Sequence, residues 1–564
     1  MTRDTRVTVS NLTMTHSPAT LVLRNARIYT QDQSRPWAEA LAIDGERIVW
    51  AGNEDHVQEW LSAGTREIDL GGKLVLPGLI DSHFHLLQGA KTLAGVSLDS
   101  ATSIDDVQQR VREFAEAHPD HEWISGSGWQ HELFAAQPIH RALLDAIVPD
   151  RPVFLSSSDY HTSWVNTAAL ERAGLINTTP PQFDFGAVVV GADGVATGEL
   201  RESKAQDLVR NLIPALANDA RDALLRQALQ MCASYGITSV HNMDGNADTL
   251  QVFRDFEARG EMTVRVRVPL SVSPGMAEEA IGNWQVASDN SSLSTPHTPF
   301  VRKGGVKLFA DGIVESKTAW MIEPYADGSD DHGAPNFCSE DFGRLILKAD
   351  ALKLQVIVHA IGDMAVRATL DAYHQARLYN GARDSRHRIE HIEVLNPTDL
   401  TRFGRMHVTA SMQPLHADLG SDLNGSWRKL VGPQRWGWAF PWSSFKLANV
   451  PLAFGSDWPV VTMNPFEGMR AGLSRSKLGG DKSGSAFTSH RLSLPELVDG
   501  YTTDGAYAEF QENEKGQLRP GMLADVAVLD QNLFDLSKAE LPAHIGKTRS
   551  VLTVVGGKIV HEAL

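Results

Sequence analysis

Cysteine is almost missing from this sequence. The 564 residues include two, Cys232 and Cys338, too few for a disulfide framework or a thiolate metal cluster. No run of about 18 apolar residues occurs, which excludes a membrane-spanning helix. The opening MTRDTRVTVSNLTMTHSPAT has no apolar stretch of the kind a secretory signal needs. Positive charge is also short: 52 Lys and Arg stand against 69 Asp and Glu, a net charge of −17. No basic run offers a footprint for nucleic acid. Hydrophobic residues at 42% and charged residues at 21% are ordinary globular values and exclude disorder and low-complexity fibres. These absences point to a cytoplasmic protein with a large core and neither a nucleic-acid nor a membrane partner.

Residues 1–19 are polar and aperiodic and read as a flexible arm. From Leu21 the pattern is β: LVLRNARIYT alternates, and ALAIDGERIVWAG reads as two strands joined by an Asp44-Gly45 turn. The C-terminus has the same texture in ADVAVLD and VLTVVGGKIVHE. Neither end is long enough to close a core alone. We therefore expect one small β-sandwich built from 20–76 and 510–564. Between the ends, apolar strands alternate with helical stretches, which argues for parallel α/β units. The strand candidates are LIDSHFH, TSVHNMD, VRVRVPLS, GVKLFADG, QVIVHAIGD, HRIEHIEV, VTASMQP and PLAFGSDWP. Eight such strands suit an α/β fold of the (β/α)8 TIM-like barrel type over 77–509. The stretch of about 95–230 is too long for one crossover and reads as an insertion after barrel strand 1, carrying some outer helices. The Trp-, Gly- and Pro-rich stretch 414–445 reads as an active-site loop.

Parallel barrel strands are buried on both faces and normally read Val, Ile and Leu. Here they carry His83 and His85, Lys307, His359, His391 and Asp457 near their C-terminal ends, where barrel active sites sit. His83 and His85 are two apart and share a strand face. Imidazole and carboxylate suit Zn²⁺, with Mn²⁺ or Fe²⁺ also compatible. An alternative for Lys307 alone is pairing with a nearby acid such as Asp311. By strand alternation Glu393 shares the face of His391 and Glu390 points away.

The same residues, with the blocks LVLPGLIDSHFHL, GSGWQHE, SDYHTSWVNTAAL, ATGEL, GVKLFADG, VHAIGD, RIEHIE, SMQP, GSDWPV and LRPGMLADVAVLD, resemble the metal-dependent amidohydrolase superfamily. Within it they resemble the YtcJ-like and N-substituted formamide deformylase-like subgroup. The resemblance implies two Zn²⁺ ions. His83, His85 and Asp457 would hold the first, His359 and His391 the second, and Lys307, carboxylated by CO₂, would bridge them. It implies hydrolysis of a linear amide or N-substituted formamide by a metal-activated hydroxide, with Asp457 as general base and then acid. It also implies a homodimer. Deaminase or cyclic-amide hydrolase chemistry on the same core, or a non-catalytic regulatory role, are the alternatives. Deamination is disfavoured because His359-Ala-Ile-Gly-Asp363 lacks the shuttling Glu that deaminases of the superfamily carry near this histidine.

Further substrate contacts are sought in Trp129, Trp320, Trp458 and His416, and in Asp159 and His161, read as sharing one strand face. The tryptophans would form an apolar pocket. His241, ending the second strand, is a further candidate for the mouth. Rival motifs fail. His121-Glu122 and His131-Glu132 lack a second His for HExxH, Gly546-Lys547-Thr548 has Leu541 where a P-loop needs its first glycine, and no GxSxG occurs.

Overall fold

The computed structural model describes residues 18–134, 136–176, 178–183, 185–289, 299–418, 425–475 and 490–564. Residues 1–17 of the expected arm and 419–424 of the expected loop lie outside them.

Eight parallel strands form one sheet in chain order. They are β1 (Leu79–Phe84), β2 (Ile237–Asn242), β3 (Arg265–Ser271), β4 (Val301–Phe309), β5 (Val356–Ala360), β6 (Arg388–His391), β7 (Thr409–Met412) and β8 (Leu452–Phe454). Each coincides with one of the eight apolar segments read from the sequence. The segment after β8 closes the barrel onto β1. Asp457 N–H donates to His83 O at 2.7 Å and His85 N–H to Trp458 O at 2.9 Å. The Asp81 carboxylate reinforces the seam by accepting from Ser456 N–H at 2.9 Å and His83 N–H at 3.2 Å. Helices surround the sheet, each burying one stripe. In Asn218–Ser234 the buried residues are Leu225, Ala228, Leu229, Cys232 and Ala233, the spacing of one helical face.

Between β1 and that helix, six strands form a separate sheet, from Val96–Ser97 at one edge through Ile124–Trp129, Val153–Ser157, Thr162–Val165 and Ala196–Arg201 to Ala187–Val190. It has cores of its own, around Leu98, Val107, Trp129 and Trp164 on one side and Phe154, Leu170 and Leu200 on the other.

The two chain ends share one sheet and a core. A six-stranded sheet mixes Arg27–Tyr29, Trp37–Ala38 and Leu74–Pro77 with Val526–Leu529, Ser550–Val555 and Lys558–Glu562. A four-stranded sheet holds Leu21–Arg24, Ala40–Asp44, Arg47–Gly52 and Arg66–Asp69. Leu23, Ile28, Leu41, Val75, Val526 and Leu552 pack between them. The turns at Gly45 and Gly556-Gly557 all have positive φ, as tight hairpins require. They touch: a Cβ on Gly557 would lie 1.9 Å from Gly45 O.

The barrel is tied to this terminal unit by a buried pair. Arg265 of β3 donates to Asp525 from Nε at 2.8 Å and Nη2 at 3.1 Å, and Asp525 also accepts from Gly556 N–H at 2.8 Å. Removing one partner of a buried ion pair strands the other. Asp525→Asn should therefore lower the unfolding free energy by about 3 kcal/mol, read in urea unfolding. An unchanged midpoint would show that the pair does not tie the units together.

Candidate metal centre

The strand ends bring the histidines and Asp457 together by two different backbone devices. On β1 ordinary alternation turns His83 inward. On β6 it would turn Glu390 inward and His391 away. Instead His391 and the next residue, Ile392, have φ of 72° and 49°. This left-handed step swings the His391 ring back into the mouth, 4.7 Å from the His83 ring and 4.4 Å from that of His359. Asp457 also has positive φ, 64°.

Glu390 thus reaches the centre, whereas the sequence reading, which took His391 as the inward residue of an extended strand, points it away. Its Oε2 accepts from His83 Nδ1 at 2.7 Å, and His85 Nδ1 donates to Asp244 Oδ1 at 2.8 Å. Each imidazole is left with Nε2 facing Asp457 Oδ1, at 3.4 Å from His83 and 3.1 Å from His85. A tetrahedral ion with bonds of about 2.1 Å sets its ligands about 3.4 Å apart. The donor set therefore fits a divalent cation, and the carboxylates behind the two rings are the supports that ligating histidines ordinarily have.

A second group forms across Asp457. Its Oδ2 lies 3.9 Å from His391 Nδ1 and 3.8 Å from His416 Nε2, and His83, His85 and Asp457, like His391, His416 and Asp457, are close enough to share one ion. His359 flanks His391, with Nε2 3.1 Å from Gly312 O. Lys307 is fully buried, and its Nζ, like Asp457 Oδ1, His391 Nδ1 and His416 Nε2, has no hydrogen-bond partner. It does not pair with Asp311, whose carboxylate accepts from the N–H groups of Trp320, Ile361 and Gly362 at 2.9, 3.1 and 2.9 Å.

Burial governs the protonation of these groups. It drives His83, His359 and His391 well below the usual imidazole range, with neighbouring positive groups adding to the effect. The same desolvation pushes Lys307 down to about 8. Burial opposes the charged forms of His85 and Asp457 too, but their mutual contact overrides it. Asp244 and Asp457 raise His85 to about 9, and His83 and His85 hold Asp457 below its ordinary value.

The insertion supplies one wall. Asp159 and His161 lie in the turn between Val153–Ser157 and Thr162–Val165, not on one strand face. The Ser157 hydroxyl donates to Asp159 Oδ1 at 2.6 Å and receives the Thr162 N–H at 3.1 Å, bonds that favour a turn over a continued strand. Asp159 accepts from His131 Nε2 at 2.7 Å and His161 N–H at 2.7 Å. His161 Nδ1 donates to Glu202 Oε2 at 2.8 Å, and its ring lies 5.6 Å from that of His359. The segment after β7 supplies another wall: His416 is 3.8 Å from Glu393 Oε1, and Trp427 Nε1 donates to Glu393 Oε2 at 2.6 Å.

The three tryptophans do not form one pocket wall. Trp129 is fully buried in the insertion core, with Nε1 bonded to Leu155 O at 3.0 Å, one layer behind His131. Trp458 packs on Phe84 and over Gly89. Trp320 is half-buried, its backbone N–H on Asp311. His241 turns down into the barrel, where its Nδ1 accepts from Arg388 Nη1 at 2.7 Å. Glu390, Arg388, Asp244, His131, Glu202 and Trp427 were not singled out as site residues. The one signal for the first two was the charged run RIEHIE in a buried strand.

Residues 66–561 match the amidohydrolase family. The putative amidohydrolase YtcJ of Bacillus subtilis is 31% identical over 95% of this chain and 98% of its own length. The N-substituted formamide deformylase of Arthrobacter pascens is 26% identical over 92% and 95%. Among solved structures, an uncharacterized metal-dependent hydrolase from Pyrococcus horikoshii superposes with a TM-score of 0.73 at 25% identity, over 92% of this chain and 99% of that one.

The seam leaves no space at Gly455. A Cβ there would lie 2.4 Å from His83 N and 2.8 Å from Asp81 Oδ1. Gly455→Ala should displace the β1 end, costing about 1–3 kcal/mol and weakening zinc uptake. Wild-type unfolding and zinc titration curves would contradict this geometry.

Proposed function

The chain belongs to the amidohydrolase family, and on that premise we propose that this hydrolase cleaves a linear carbon–nitrogen bond in an amide or an N-substituted formamide. One observation carries the reading. His83, His85 and Asp457 converge on one point, with Glu390 and Asp244 fixing the two rings. Those three residues would hold one cation and His391 with His359 a second, while Lys307, carboxylated at Nζ, would lie between them. Carboxylation would replace a buried amine that has no hydrogen-bond partner with an anion able to help hold the cations. The all-nitrogen-and-oxygen donor set suits Zn²⁺. When bound, such ions supply Lewis acidity toward a carbonyl oxygen and toward water.

The chain's own groups handle the proton. Asp457 takes a proton from the attacking water and delivers it to the nitrogen as the carbon–nitrogen bond breaks, giving a carboxylic acid and an amine. His161 and His416 flank the site at positions suited to orient the carbonyl. Glu202 and Glu393 lie beside them, the first hydrogen-bonded to His161. The formamide reading takes its support from the deformylase of Arthrobacter pascens.

Elemental analysis of protein purified without added metal should find about two zinc ions per chain, and intact mass should carry one added CO₂ on Lys307. Chelation should abolish hydrolysis of aryl formamides and amides, and Zn²⁺ or Mn²⁺ should restore it. Asp457→Asn should lower turnover by at least about 100-fold. Protein that binds no metal and gains no hydrolytic activity on adding either ion would overturn the proposal.

A further inference from the structure

Barrel interiors are ordinarily filled by layers of Val, Ile and Leu. In this one a line of charged and polar side chains runs from the metal centre to the opposite end. It starts at Glu390, which holds His83. Arg388, two residues earlier on β6 and fully buried, donates from Nε to Glu390 Oε1 at 2.9 Å, from Nη1 to His241 Nδ1 at 2.7 Å and from Nη2 to Ser411 Oγ at 2.8 Å. Nη2 also bonds the Ser82 carbonyl, directly before His83. His241 Nε2 lies 3.3 Å from Glu509 Oε1. Glu509 pairs with Lys515 Nζ at 2.5 Å, and Lys515 donates to Ser239 Oγ near the start of β2 at 2.6 Å. The side chains of Glu509 and Lys515 are 4% and 5% exposed.

Glu509 and Lys515 come from the segment after the helix Thr503–Ala508. It sits under the N-terminal ends of the strands: Ala508 O accepts from Gln355, just before β5, at 2.9 Å. Apolar side chains would fill the same space without the desolvation cost of buried charges. The charges are instead linked end to end, and both ends of the Arg388 guanidinium are committed. Its angle is set from below by His241 and from above by Glu390 and the Ser82 carbonyl.

We propose that Lys515, Glu509, His241, Arg388 and Glu390 form one positioning column, through which the 509–515 segment at the bottom of the barrel fixes the His83 ring for its cation at the top. The inference rests on the reading of His83 as a metal ligand. Glu390 acts on His83 directly, and the lower four act through it and through the Arg388 bond to the Ser82 carbonyl.

The test is Zn²⁺ affinity of the full chain, measured by competition with a chromophoric chelator. Glu390→Gln should lose about 10–100-fold. Glu509→Gln and Lys515→Met should each lose about 3- to 30-fold, and Lys515→Arg should restore most of it. The Glu390→Gln/Glu509→Gln double variant should lose less than the two single losses combined, because both act on the same ring. Asp525→Asn, which breaks the neighbouring pair with Arg265 and removes no hydrogen bond of the column, should lose stability and lose less affinity than Glu509→Gln. Wild-type affinity in Glu509→Gln and Lys515→Met, additive losses in the double variant, or an equal loss in Asp525→Asn would each overturn the column. A wild-type chain that takes up no zinc would instead overturn the hydrolase reading, and this inference with it.

Discussion

The contact between Glu390 and His83 is the constraint on which the metal centre depends. It is short, 2.7 Å, and both side chains are sealed from water. Burying a carboxylate is costly unless its charge and lone pairs are met. Glu390 meets that condition with the His83 ring on one side and the Arg388 guanidinium on the other. The same bond determines the His83 tautomer. With Nδ1 donating to Glu390, Nε2 is left as the lone pair that a cation needs, and Asp244 does the same for His85. Much of the site follows from these two carboxylates, neither of which belongs to the donor groups that converge on Asp457.

A second constraint is backbone conformation. His391, Ile392 and Asp457 have positive φ, which costs a residue with a side chain of order 1–3 kcal/mol. At each, the deviation has a visible product. The step at His391 and Ile392 lets two successive residues of one strand, Glu390 and His391, serve the same cavity. The turn at Asp457 allows its N–H to close the barrel on His83 O while its carboxylate faces both rings of the β1 pair. Strand ends that obeyed alternation could not supply this many inward groups.

These two features also explain what could be read from the sequence and what could not. The eight barrel strands were legible because short apolar runs alternate with helical stretches, and the site because His, Lys or Asp in five of those runs contradicts the ordinary composition of buried parallel strands. The paired texture of the two termini was legible for a similar reason, since each held hairpins with no core of its own. Glu390 was assigned to the wrong face because alternation assumes an extended backbone, and nothing in RIEHIE announces a left-handed residue at its fourth position. Asp159 and His161 were placed on a strand because SSSDYH reads as the continuation of FLSS. The serine hydroxyl that folds it into a turn acts through bonds visible only in three dimensions. Trp129 was drawn toward the site by its neighbours in sequence, whereas the core of the insertion claimed its ring. Asp244 lies beyond the end of β2, where a lone carboxylate carries no periodicity to read.

The division of labour at the mouth follows from where each group is anchored. Donors for cations stand on strand ends, locked by the barrel seam and by the buried charges beneath them. The residues around the approach to the centre are anchored elsewhere. His161 is held by Glu202, which Thr318 from the segment after β4 also bonds at 2.6 Å. Glu393 is held by Trp427 from the segment after β7. The insertion and that segment thus carry the flanking groups, apart from the seam that holds His83 and Asp457. A change under the barrel floor, by contrast, reaches His83 through Arg388 and Glu390. On this geometry the groups flanking the centre hang on the insertion and on the segment after β7, and the His83–Asp457 donor group hangs on the barrel itself.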